Sequence, residues 1–150
     1  DDMGSAYSQV LEECIIELQS GQQVSVRYKK GAGLGFTPWP GTFALAAFLD
    51  AHAENLDLRS KSVLELGSGA CSVSGLVAGH LCKDVTLTDR MEVIKDLDAT
   101  VRAAGLSKTV DVKVLNWMDL EFTEHCFLPR VADIIMLTDV VYFPTLFEPL

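Results

Sequence analysis

Val63-Leu64-Glu65-Leu66-Gly67-Ser68-Gly69 reads as a short apolar strand that meets a carboxylate and then breaks into a Gly-x-Gly turn. Val63, Leu64 and Leu66 suit a buried parallel strand, and the two glycines let the backbone turn sharply and approach a ligand with no Cβ in the way. A strand ending this way is how a nucleoside cofactor is held, so a cofactor-binding enzyme is expected, with Gly67 and Gly69 at the ligand. Glu65 interrupts the apolar run just before the turn, where a polar side chain needs a ligand or a backbone partner. It is assigned to the cofactor, with a solvent-facing strand end as the plainer alternative.

Elimination narrows the cofactor. A dinucleotide fingerprint needs a third glycine where Ser72 stands, and a phosphate loop needs a lysine after the second glycine, which Gly69 to Leu76 does not contain. What remains is Glu-x-Gly-x-Gly followed, after a helix, by Val85-Thr86-Leu87-Thr88-Asp89. That second strand ends in an acid about twenty residues on, the spacing at which a ribose is gripped. S-adenosyl-L-methionine fits best, with Asp89 accepting from the ribose hydroxyls; an N-cap for the following helix is the other reading of Asp89.

Working outward, Cys14 to Leu18 and Gln23 to Tyr28 are β-favouring runs around Ser20-Gly21, an N-terminal hairpin over about 12–28. Lys29 to Gly35 is glycine-rich and could move over a ligand. From Pro40 to about Glu54, Phe43, Ala44, Ala47, Phe48 and Ala51 have helical spacing. Then come a strand over Ser62 to Leu66, a helix from Ser72 to about Leu81, a strand over Asp84 to Thr88, and a helix from Glu92 to Ala104 stopped by Gly105. Thr109 to Leu115 gives a third strand, Asn116 to Pro129 a loop, and Ala132 to Thr138 a fourth apolar strand leading to Asp139. Alternating strands and helices predict a parallel α/β sheet. Ligands of such sheets lie beyond the carboxyl ends of the strands, so Glu65 to Gly69, Asp89, Asn116-Trp117 and Thr138 to Tyr142 should converge.

With 150 residues, 49% of them hydrophobic, the chain supports one domain over 1–150 with a cofactor-binding core over about 40–150. Its 21 acidic residues against 12 basic ones give a net charge of −9, which argues against nucleic acid and anionic membrane surfaces and favours a protein or small-molecule substrate. Cys14, Cys71, Cys82 and Cys126 form no C-x-x-C and read as reduced core thiols. His52, His80 and His125 are too dispersed for a metal site. An acidic start and no apolar run of membrane length lead to an expected cytoplasmic location, the nucleus being open as well. Nothing in the residues speaks to oligomeric state.

Several motifs taken together resemble the seven-strand, S-adenosylmethionine-dependent protein methyltransferases called methyltransferase family 16, whose best-known members methylate lysines of non-histone proteins. Gly35-Phe36-Thr37-Pro38-Trp39-Pro40 resembles the family's G-x-x-x-W segment, Glu65 to Gly69 its glycine motif, and Leu87-Thr88-Asp89 the end of its second strand. Leu115-Asn116-Trp117 resembles the tryptophan after its third strand, and Asp139-Val140-Val141-Tyr142 its D-x-x-Y. The likeness covers roughly residues 12 to 150. It implies a Rossmann-like doubly wound sheet of the class I methyltransferase type, and a cofactor site holding Trp39, Glu65, Gly67, Gly69, Asp89, Asn116, Trp117 and Thr138. Two positions depart from the pattern: Cys71 stands where many members carry glycine, and Asp98-Ala99 where asparagine is common. The family fold continues for three further strands, so the chain is expected to be a truncated domain that binds cofactor weakly and does not turn over.

Methyl transfer from a sulfonium to an amine is one in-line displacement, which asks the protein for alignment and water exclusion and for no side-chain nucleophile. A lysine acceptor, whose free pKa is about 10.4, must be neutral to react, so the site needs desolvation or a group that orients the amine. By resemblance, Asp139 contacts the methionine end of the cofactor or the substrate and Tyr142 borders the lysine channel, as the catalytic pair. A helix N-cap for Asp139 and core packing for Tyr142 stay open. Trp117 is a flat wall for adenine or a core filler, and Trp39, fixed between Pro38 and Pro40, belongs to the cofactor pocket. Arginine, histidine or a small molecule as acceptor is an alternative, as is a binding module that transfers nothing.

Overall fold

The structure, a computed structural model, describes residues 11–29, 31–118, 132–146 and 148. It opens with an antiparallel hairpin, β1 (Leu11–Glu17) and β2 (Gln23–Lys29), paired from Leu11 opposite Lys29 to Glu17 opposite Gln23. The two-residue period buries Val24 and Val26 and packs Cys14 and Ile16 against the core, while Glu13, Ser25 and Arg27 share the wet face. There Glu13 accepts from Ser25 Oγ at 2.5 Å and from Arg27 Nε at 3.2 Å. The hairpin is no loose decoration. The Gln19 N–H donates to the Asp50 carboxylate at 3.0 Å, and Gln22 Nε2 lies 2.9 Å from His80 Nδ1, which fixes the turn to two helices.

The first of those helices, α1 (Pro40–His52), starts with proline at its first turn, where a missing N–H costs nothing, and buries Thr42, Ala46 and Leu49. It ends two residues short of the expected Glu54. A 3-10 turn at Leu58–Ser60, not foreseen from the sequence, buries Leu58 completely and feeds the central sheet.

Four parallel strands form that sheet: β3 (Ser62–Leu66), β4 (Asp84–Asp89), β5 (Val110–Val114) and β6 (Ile134–Leu137), in the order β5-β4-β3-β6. Helices α2 (Val73–Leu81) and α3 (Met91–Ala103) make the crossovers from β3 to β4 and from β4 to β5. Both crossovers step the same way along the sheet, so right-handed connections put both helices on one face. The chain then returns past β4 and β3 to lay β6 on the far side of β3, so the strand order reverses between β3 and β6. A Rossmann-like sheet places its ligand crevice at that reversal. β5 and β6 are shorter than the apolar runs that predicted them. Just before β6 the Asp133 carboxylate accepts from the Ser62 N–H at 2.8 Å and its own N–H donates to Ser62 O at 2.9 Å, a closing pair at the start of that strand. Most of the loop expected between Asn116 and Pro129 lies outside the described residues, as does Cys126. Cys71 and Cys82 are free and buried, and burial pushes their thiols up to about 12 and about 11.

Helix α2 is the centre of the packing, with Val73 through Gly79 all buried. It comes this close because two glycines one turn apart face the sheet. A Cβ on Gly75 would stand 2.2 Å from Ser72 Oγ, 2.5 Å from Leu87 Cδ2 and 2.7 Å from Glu65 Oε2, and one on Gly79 would stand 2.6 Å from Val110 Cγ2. Ser72 does displace the third glycine of a dinucleotide motif, and close helix approach is supplied one turn later by Gly75. Gly75→Ala should therefore destabilise the fold by about 1–3 kcal/mol through overpacking, despite alanine's better helix propensity. Urea unfolding measures this, and an unchanged or raised midpoint would contradict the packing described.

Candidate cofactor site

At the reversal between β3 and β6 the strand ends enclose a cavity of about 830 Å³, a volume suited to a cofactor-sized ligand. Trp39, Gly67, Gly69, Asp89, Asn116, Trp117, Thr138, Asp139 and Tyr142 all line it, from segments up to a hundred residues apart. Glu65 alone of the residues assigned to the site is not among its walls.

The floor is the turn after β3. Gly67 and Gly69 have φ of +67° and +65°, the left-handed region that side chains disfavour. Space matters as much as angle at Gly67, where a Cβ would sit 2.7 Å from Val140 Cγ1 and 3.3 Å from the Trp117 ring. The Gly69 N–H donates to Asp89 Oδ2 at 2.7 Å, and the Arg90 N–H donates to Asp89 Oδ1, also at 2.7 Å. Asp89 is therefore both the acid at the end of β4 and the tether of the glycine turn. It does not cap α3, whose N-cap is Arg90. Burial raises the Asp89 pKa, and the two backbone donors with the Arg90 charge pull against that rise. Ser68 adds a second stitch: its N–H donates to Thr88 O at 2.9 Å and its Oγ accepts from the Thr88 N–H at 3.2 Å.

Segment 31–39 arches over this floor. Gly35 O accepts from the Ala70 N–H at 2.7 Å, Phe36 O from Cys71 Sγ at 3.3 Å, and Leu34 O from Trp39 Nε1 at 3.0 Å. The opposite wall is Trp117 with Asn116, whose Oδ1 accepts from the Met118 N–H at 3.2 Å. Asp139 closes the rim. Its Oδ2 accepts from the Gly41 N–H at 2.8 Å, so it supplies the side-chain cap that α1 lacks at Trp39, across 98 positions of sequence. The backbone of Asp139 is held at φ +54° to do so. The capping alternative for Asp139 thus has substance, for a different helix than expected. Tyr142 stands at the mouth, 51% exposed and edge-on to Phe143 at 4.8 Å, which sets aside core packing as its role.

Glu65 lies beneath the floor, 2% exposed. Its Oε2 accepts from Ser72 Oγ and its Oε1 from Ser74 Oγ, both at 2.5 Å, so the structure gives its carboxylate hydroxyl partners in place of the expected ligand. Ser72 in turn accepts from the Gly75 N–H at 3.1 Å as the N-cap of α2. Ser74 Oγ lies 2.8 Å from Thr42 Oγ1, which accepts from the Ser74 N–H at 2.9 Å. Thr42 and Ser72 both line the cavity, and neither was singled out as a site residue from the sequence. Ser72 carried a signal as a small polar residue opening a helix; Thr42 sits on an otherwise apolar stripe and carried none. Burial raises the Glu65 pKa against the pull of the Ser72, Ser74 and Ser68 hydroxyls.

Among the described residues no three of His, Cys, Asp and Glu converge to hold a metal, and no helix is long and apolar enough to cross a membrane. Topology, glycine turn and cavity define a Rossmann-like α/β protein with a cavity at the switch point. Residues 18–150 match the model of methyltransferase family 16, described as lysine methyltransferase, and the chain belongs to that family. It is 34% identical over 131 residues to protein N-lysine methyltransferase METTL21A of Danio rerio, covering 81% of this chain and 56% of that protein. With EEF1A lysine methyltransferase 3 of Mus musculus it shares 30% identity over 133 residues, 85% of this chain and 53% of that protein. Histone-arginine methyltransferase METTL23 of Xenopus laevis is 34% identical over 116 residues, 76% of this chain and 47% of that protein. The chain thus spans about half the length of the curated relatives it matches. In fold it is similar to a SAM-dependent methyltransferase from Agrobacterium tumefaciens, with a TM-score of 0.58 at 20% identity over 84% of this chain and 39% of that one.

Because folding raises the Glu65 pKa, the native state binds more protons than the unfolded chain between the ordinary carboxylate value and the raised one. Stability conferred through this group is therefore greatest in acid and falls as pH rises through that window. Glu65→Gln removes the titration, so the stability of the natural protein relative to the variant should decline from about pH 4 upward and level off above the raised value. Denaturant midpoints measured for both across pH test this; a difference independent of pH would contradict it.

Proposed function

We propose that this chain is the cofactor-binding part of an S-adenosylmethionine-dependent methyltransferase that methylates a lysine of a non-histone protein. The observation that carries the reading is the convergence of the glycine turn, Asp89, Asn116-Trp117 and Thr138 to Tyr142 on one cavity. The residues fit such a cofactor. Gly67 and Gly69 hold a left-handed turn that lines the cavity, Asp89 retains acceptor capacity beyond its two backbone donors for ribose hydroxyls, and Trp117 and Trp39 provide flat faces for an adenine ring. When bound, the cofactor supplies an activated methyl group. The chain's own residues have to align the acceptor and exclude water.

Asp139, with Oδ2 engaged by Gly41, orients ligand or acceptor through Oδ1. Tyr142 and Phe143 frame the mouth, and aromatic faces there favour a cationic methylammonium product. A protein acceptor is supported by the names of the lysine-modifying relatives; arginine is the second reading, supported by the histone-arginine methyltransferase among them. A cytoplasmic or nuclear setting suits the buried free thiols of Cys71 and Cys82.

Incubating a form of the protein extended through the remaining strands of the family fold with S-adenosylmethionine and a cell extract, then mapping new methyl groups by mass spectrometry, should place them on lysine. Methyl groups on arginine would replace the acceptor, and none at all would remove the activity. Asp139→Ala should abolish transfer while lowering stability by about 1 kcal/mol through the lost cap of α1; retained transfer would remove its assigned role.

A further inference from the structure

Glu65 is unusual in lying buried with neither of its oxygens facing solvent, a backbone donor or a cation. Among the described residues its side-chain partners are hydroxyls, no ion pair includes it, and the one charge that acts on it, Asp89, has the same sign. The directions of the hydroxyls are those an ionised carboxylate asks for. Ser72 accepts from the Gly75 N–H and directs its proton to Oε2. Thr42 accepts from the Ser74 N–H, leaving its own proton for Ser74 Oγ, which directs its proton to Oε1. Each link has one donor and one acceptor. The amino end of α2 adds its dipole in the same sense.

The charge is buried but not remote, because Thr42 and Ser72 are cavity walls as well as members of this network. Among the described residues of the cavity the Arg90 guanidinium is paired with Glu92 at 2.9 Å, which leaves Asp89 and Asp139 as the other charged groups there. The site is therefore negative, and the part of that field which comes from Glu65 is shielded from water by the floor itself.

We propose that Glu65 sets the charge preference of the cofactor cavity: acting through Ser72, Ser74 and Thr42 without touching the ligand, it favours the positively charged sulfonium cofactor over its neutral thioether product. This rests on the S-adenosylmethionine reading of the cavity. It gives Glu65 a role in turnover that packing alone does not, since a site that prefers the cation takes up S-adenosylmethionine in the presence of S-adenosylhomocysteine and releases the latter after transfer.

The test is a ratio. Calorimetric dissociation constants for S-adenosylmethionine and S-adenosylhomocysteine are measured for the natural protein and for Glu65→Gln across pH, because burial raises the Glu65 pKa and the charge acts above that raised value. Glu65→Gln is expected to reduce the preference for the sulfonium form about tenfold, the order expected for one charge acting across a partly screened floor. Glu65→Asp, which keeps the charge but shortens its reach, should weaken both ligands and keep the ratio. Equal weakening of both ligands by Glu65→Gln, the variant that removes the charge, shows a merely structural residue and overturns the inference while leaving the cofactor reading in place. If neither ligand binds the natural protein, the cofactor reading falls and the inference with it. Should Glu65→Gln not fold, Glu65→Met with Ser74→Ala replaces the charge and one donor together, and the same loss of ratio is required of it.

Discussion

A carboxylate taken out of water with no cation beside it is costly, and it persists only when enough donors converge on it. Glu65 meets that condition through Ser72 and Ser74, and those two hydroxyls determine much of the structure around them. Ser72 is the N-cap of α2, Ser74 reaches α1 through Thr42, and Ser72 Oγ, Leu87 and the carboxylate together occupy the space a side chain at Gly75 would need. One buried group thus ties the first strand of the central sheet to helices α1 and α2 beside the cavity. The glycine turn between strand and helix is consequently short, fixed at both ends and bare of side chains where a ligand would lie.

The second constraint is the pairing of loops across the switch point. Asp89 holds Gly69, Gly35 holds Ala70, and Asp139 holds Gly41. Each is a contact between a cavity-lining residue and a backbone group from another segment, so the wall positions are coupled to the fold and not left to loop chemistry. Two of these three acceptors are acids that the family pattern assigns to ligand or chemistry. Both retain oxygen lone pairs for that purpose.

The parts legible in the sequence were those with local causes. The apolar runs of β3 and β4, proline at the start of α1 and Gly105 after α3 mark their elements because period, cap and breaker act within a few residues. The set of segments meeting at the cavity was legible too, since the carboxyl ends of parallel strands must share one edge. What the sequence hid depends on distance along the chain. Nothing near Asp139 says that it caps a helix 98 residues earlier, and nothing near Thr42 says that it completes a network around Glu65. Glu65 was read as a ligand contact because a polar residue at the end of an apolar strand needs a partner; the partner came from the helix that follows. Tyr142 looked equally suited to core or channel, and its exposure at the mouth is a tertiary fact.

The most direct test of the cofactor cavity is a titration of S-adenosylhomocysteine followed by nuclear magnetic resonance at the Gly69 amide and the Trp39 and Trp117 indoles. Saturable shifts concentrated at those three positions are expected, because they line the floor and the facing walls. Saturable shifts confined to the separate groove between β2 and α3, or no saturable shift at any concentration reached, would contradict the assignment of this cavity to the cofactor.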